Sequence, residues 1–150
     1  IGKKIGEEAE HTARDYARRI TIFAPLLAGA VALALYPLSK LLPLVFNVNQ
    51  HVLSYISVMF IILCCSYPFR AFNMTVIVGV CRAGGDTIFC VLFEMLFMWC
   101  YSLPFGAIMA FIFHAPVWLI YLCLCSEDVF KMFCGLWRLR SGKWLRNVVT

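Results

Sequence analysis

The chain has 150 residues, 63% of them hydrophobic and 14% charged, with a formal net charge of +5 and a mean hydropathy of +0.85. A soluble domain is about half apolar and a quarter charged, so this composition excludes a water-facing globule and implies a polytopic membrane protein. Of thirteen Lys and Arg, five fall in residues 3 to 19 and four in 138 to 146, a positive-inside pattern that argues against a nucleic-acid surface.

The opening IGKKIGEEAEH has no initiator Met and no signal-peptide pattern, so the chain is expected to be a fragment of a longer protein. Residues 7 to 19, EEAEHTARDYARR, predict an amphipathic helix with Ala9, Ala13, Tyr16, Ala17 and Ile20 on one face. Glu10 to Arg14 and Asp15 to Arg19 are i,i+4 pairs of favourable order. Residues 1–19 thus read as a cytoplasmic linker helix lying on the membrane surface.

A first span over about 20–37 has no charge before Lys40 and holds Pro25 and Pro37. SKLLPLVFNVNQH then reads as an outer turn, with room for a short interfacial helix. The next segment contains YPFRAFN. If Arg70 were in a loop, the following AFNMTVIVGVC would be too short to cross a bilayer. One span over about 51–82, kinked at Pro68, returns Arg82 to the basic side and places Arg70 inside the membrane.

RAGGDT forms the next turn, where Gly84 and Gly85 allow a tight reversal and Asp86 is expected to cap the following helix. No charge occurs from Met95 to Ser126, so two turns compete: SLPFG at 102–106 and HAP at 114–116. The second is preferred, because it gives spans over about 86–112 and 117–137 and sets Trp118 and Trp137 near the two interfaces. Residues 138–150 form a basic cytoplasmic tail. The fold class is therefore all-α, with four transmembrane helices and both ends cytoplasmic.

Eight cysteines occur without a CxxC or a companion His at ligand spacing, and in apolar runs Cys behaves as a small hydrophobe. His11, His51 and His114 fall in the linker helix and at the outer turns. No metal, no cofactor and no enzyme constellation is expected.

With the turn in place, GVCRAGGDTIF resembles the pattern that joins two helices in the multidrug and toxic compound extrusion (MATE) family. IGKKIGEEAEHTARDYARRI, PFRAFNMTVIVGV and WRLRSGKWLRN are similar to further stretches of that family, in the same order. The resemblance implies the last four helices of a six-helix C-terminal lobe in a bacterial cell membrane. The N-terminal lobe and the first two helices of the C-terminal lobe would then be partners, as would the lipid bilayer. It further implies an antiporter that exports small organic cations by alternating access. Its coupling ion, a proton or sodium, would be bound elsewhere or at a site the sequence does not identify. The helix that carries a carboxylate in some sodium-coupled members here carries Arg70 and Asn73, which argues against direct sodium binding by it.

An ionised group at the bilayer centre costs roughly 2.5–3.5 kcal/mol, so it faces the bundle interior with a partner. By helical rise, Arg70 lies about 18 Å from the basic side, Glu94 about 12 Å and Asp128 about 15 Å. This similar depth predicts an Arg70–Glu94–Asp128 cluster; alternatively Glu127 pairs with Lys131 at i,i+4, leaving Asp128 for Arg70. Two roles stand open for it: a fixed pair that orients three helices, which is favoured, or a carboxylate that exchanges its Arg contact for a proton. Glu94, Met98, Tyr101 and Phe105 share a face, and Tyr67, Asn73, Met98, Tyr101 and Tyr121 are candidates to line a cavity suited to flat cations. The alternatives to an antiporter are a lipid-linked oligosaccharide flippase, which Arg70 would suit, and a non-transporting four-span membrane protein.

Overall fold

A computed structural model describes residues 10–37, 50–142 and 144. The outer turn SKLLPLVFNVN and most of the tail lie outside the described residues. The described chain is helical throughout, with short turns. Helix α1 spans Glu10–Leu35 and α2 spans Gln50–Asn73, continuing as a π-helical stretch Met74–Cys81. Helix α3 spans Thr87–Phe97 and runs on through the π-helical turn Met98–Ser102, α4 at Leu103–Ala107 and the π-helical turn Ile108–Ile112. Helix α5 spans Val117–Ser141.

Three stretches, His11–Leu35, Val52–Cys81 and Thr87–Ile112, are long and apolar enough to cross a membrane. Helix α5, at 25 residues, is also long enough at ~1.5 Å per residue. Its charges, Glu127, Asp128, Lys131, Arg138 and Arg140, set it apart in composition. Lys131 and Arg138 are nevertheless buried. The chain is an all-α, polytopic membrane-type bundle. Helix α2 packs along both α1 and α5, and the third rod packs on α5 and on the π-helical end of α2.

The predicted linker helix and first span are not separate elements, because α1 runs unbroken through residues 19 and 20. Its small side chains explain its packing. Ala13, Ala17, Thr21, Ala28 and Ala32 are all buried, while Phe23, Leu26 and Leu33 are largely exposed on other faces. Small residues at helical spacing let backbones approach closely where lipid supplies no hydrophobic drive between helices. Ala13 and Ala17 accordingly enter the core, whereas their predicted face-mates Tyr16 and Ile20 are about half exposed. Among the described residues Asp15 lies 3.5 Å from His11, and not beside Arg19.

Both prolines inside the long helices are accommodated without ending them. The reversal at 102–106 does not occur: the third rod continues past Pro104 and turns at His114, whose φ is 45°. His is tolerated in this left-handed region better than most residues.

The core lies at the basic end. Phe72, Val76, Ile77, Val80 and Cys81 of the second rod meet Ala13, Ala17, Cys90 and Trp144 there. Gly85 takes φ 87° in the turn. Gly84 is needed for a different reason: a Cβ there would fall 2.6 Å from the Cε3 atom of the Trp144 ring. Asp86 sits at the N-cap position of α3, but its side chain makes no capping hydrogen bond. Its carboxylate accepts instead from Arg138, 2.8 Å from Nε and also bonded by Nη2. The guanidinium lies 4.2 Å from the centroid of the Phe89 ring. The turn motif and the C-terminal motif thus meet in one buried contact.

Breaking a buried ion pair by removing one partner costs about 3–5 kcal/mol, whereas replacing both by apolar groups is often neutral. Arg138→Met and Asp86→Leu are each expected to lower thermal stability in detergent by several degrees, and the double variant to recover most of the loss. Gly84→Ala should destabilise, and Gly79→Ala, whose Cβ meets nothing closer than 3.8 Å, should not.

Candidate functional site

Farther along the bundle from this contact, α2, α3 and α5 enclose a cavity of about 270 Å³. Arg70, Asn73 and Met74 line it from the second rod, Glu94 from α3, and Tyr121, Glu127, Asp128 and Lys131 from α5. The three charged residues expected at one depth therefore do face one space. Their pairing differs from the expectation. Lys131, not Arg70, is the counter-ion of Glu94, with Nζ 3.0 Å from Oε2. Lys131 also pairs with Glu127 one turn earlier on α5, and its ammonium lies 5.7 Å from the centroid of the Phe97 ring. Among the described residues Arg70 forms no ion pair with Glu94 or Asp128, although its charge reaches the cavity that Asp128 also lines.

Asp128 is held by an amide. Asn73 is 4% exposed, and its Nδ2 donates to the Asp128 carbonyl at 2.7 Å and to Oδ1 at 3.1 Å. The Asn73 Oδ1 atom is buried and has no hydrogen-bond partner among the described residues. Around Lys131 the network continues outward. Ser102 donates to Glu127, and the Tyr101 hydroxyl shares a hydrogen bond of 2.8 Å with Ser126.

Of the aromatic candidates, Tyr121 lines the cavity. Tyr101 does not; it stacks on Phe105 with ring centroids 5.5 Å apart and packs on Phe130. Met98 and Tyr67 are exposed, 55% and 41% respectively, and lie outside the cavity lining. The third rod's inner face is instead a ladder of Phe89, Phe93, Phe97, Tyr101 and Phe105. At ~100° per residue an α-helix drifts by about 40° over each four-residue step. The π-helical turn Met98–Ser102, which takes more residues per turn, offsets part of that drift.

The site therefore holds three carboxylates against two cations. Charges in an apolar surround are costly singly and tolerable in a network. Glu94, at 41% side-chain exposure, is the accessible end of the Lys131 bridge, while Lys131 and Glu127 are mostly buried. A proton or cation arriving at Glu94 would compete with Lys131, which retains Glu127 as a partner.

A family model described as MatE matches residues 1–108. No curated protein and no solved structure matches.

Residues within one ion network show coupling of about 0.5–3 kcal/mol in double-mutant cycles. Glu94→Gln and Lys131→Met are expected to couple within that range in thermal unfolding, and Glu94→Gln with Arg70→Gln to be additive. Coupling of Glu94 to Arg70 and not to Lys131 would refute the pairing.

Proposed function

This chain belongs to the MatE family, a family of transporters, and on that premise we propose that it is the C-terminal part of a secondary active antiporter. It exports cationic, drug-like compounds in exchange for protons or sodium by alternating access. Its basic ends face the cytoplasm of a bacterial cell, in keeping with the clustering of Lys and Arg at residues 3 to 19 and 138 to 146.

The observation that carries this reading is Lys131 held between a carboxylate on α3 and one on its own helix. Of these two pairs only the bond to Glu94 ties two rods together. Neutralising Glu94 leaves Lys131 on Glu127 and loosens α3 from α5 without stranding a buried charge. An arriving proton, or an organic cation drawn to the excess of carboxylates, has the differential contact that a conformational shift requires. Tyr121 offers a flat, electron-rich ring at the same place.

One feature favours a second reading. Arg70 is exposed toward the cavity and has no ion pair there among the described residues. An anionic substrate such as a lipid-linked phosphate would suit it, as in a lipid-linked oligosaccharide flippase of the same wider superfamily.

Export of an aromatic cation from proteoliposomes of the full-length transporter, driven by a pH or a sodium gradient, tests the first reading, and flipping of a lipid-linked phosphate tests the second. Glu94→Gln and Asp128→Asn are expected to insert normally and lower proton-driven export by about tenfold or more, with Arg70→Gln retaining it. Unchanged transport in the carboxylate variants overturns the exchange role, and loss of insertion alone assigns the network to holding the helices. Absence of cation export by the wild type, together with flipping of a lipid-linked phosphate that Arg70→Gln abolishes, favours the flippase.

A further inference from the structure

At the basic end, between α1 and the end of α5, lies a second cavity of about 550 Å³. Arg14 and Arg18 enter it from successive turns of α1, and Arg140 enters from the last turn of α5. No carboxylate is among the described lining residues. This distinguishes it from the other charged places, where Arg138 has Asp86 and Lys131 has two glutamates. Among the described residues Arg14, Arg18 and Arg140 form no ion pair. Arg14, Arg18 and Arg140 are exposed, and three guanidinium groups around one space favour an anion, their planar forks matching a phosphate.

A second observation points the same way. Thr21 also lines the cavity; it is 5% exposed, and its hydroxyl is buried with no hydrogen-bond partner among the described residues. A buried hydroxyl without a partner is rare and needs a ligand or water to satisfy it. The Arg14 guanidinium lies against the left-handed turn that ends α5. Gly142 has φ 67°, and a Cβ there would lie 3.2 Å from Arg14 Nη2. The opening of the cavity leads to an apolar surface, since Ile22 is shared with a groove of about 440 Å³ that Phe23 and Leu26 also line.

We propose that this cavity binds a phosphate group, supplied by an anionic phospholipid. The headgroup phosphate sits between Arg14, Arg18 and Arg140 and accepts from the Thr21 hydroxyl, and an acyl chain follows Ile22 onto the apolar groove. The site is separate from the Glu94–Lys131 cavity and does not depend on what is transported.

Native mass spectrometry of the purified protein, released from nanodiscs of phosphatidylglycerol mixed with phosphatidylcholine, tests the assignment. The expected result is selective retention of phosphatidylglycerol, falling about fivefold for each of Arg18→Gln and Arg140→Gln, the loss of one basic contact at a membrane surface. Thr21→Val should also lower retention, and Arg82→Gln, which removes an exposed charge outside the cavity, should not. Competition by inorganic phosphate on the wild-type protein needs no variant. Displacement of the lipid confirms a phosphate site, and phosphate binding without lipid selectivity makes the source a soluble phosphate. Equal retention of the two lipids with no phosphate binding, or equal losses in Arg82→Gln and Arg140→Gln, overturns the proposal.

Discussion

A charge removed from water has to find its opposite, and the bundle is arranged around that requirement. Asp86 and Arg138 are almost fully buried, far apart in sequence and joined in space. Their pairing determines where the end of α5 must lie relative to the start of α3. Once they meet, Trp144 lies against Gly84, and its Nε1 donates to the Leu139 carbonyl at 3.2 Å. The apolar cluster of Val76, Ile77, Val80 and Cys90 then closes around the same place. The pair contributes position more than net stability, since the cost of desolvating two ions offsets much of their attraction.

The long apolar rods were legible in the sequence because composition and length alone determine what can cross a bilayer. So were the extra length of the second rod and the turn at His114, since no shorter division leaves segments of adequate length. What was not legible was partnership. Asp86 looks like a helix cap because the residue at that position and the turn before it favour one; only tertiary packing shows that a guanidinium takes the carboxylate. The face of Ala13 and Ala17 looks like a membrane-surface stripe because periodicity records which residues share a side, not what lies against them.

The charged cavity shows the same division. Depth along the helices brought Arg70, Glu94 and Asp128 toward one space, and they do share it. The counter-ion of Glu94 was mistaken, although the same ruler held the answer. Lys131 lies seven residues before Arg138, about 10 Å in, nearer to the depth of Glu94 at about 12 Å than Arg70 at about 18 Å. Its i,i+4 bond to Glu127 made it look already satisfied. An ammonium has three donors, however, and one carboxylate does not exhaust them. The period-four run of Phe89, Phe93, Phe97, Tyr101 and Phe105 was visible too, but an ideal α-helix would have wound it off the interface.

The reach of the Asp86–Arg138 bond also sets an order of events during synthesis. Fifty-two residues separate its two ends, and at about 5–20 residues per second the ribosome needs roughly 3 to 10 s to make them. Throughout that interval the second hairpin turn carries a carboxylate with no guanidinium to receive it. The rods made before α5 therefore wait at the membrane as an unlocked intermediate, and α5 is the helix that latches them.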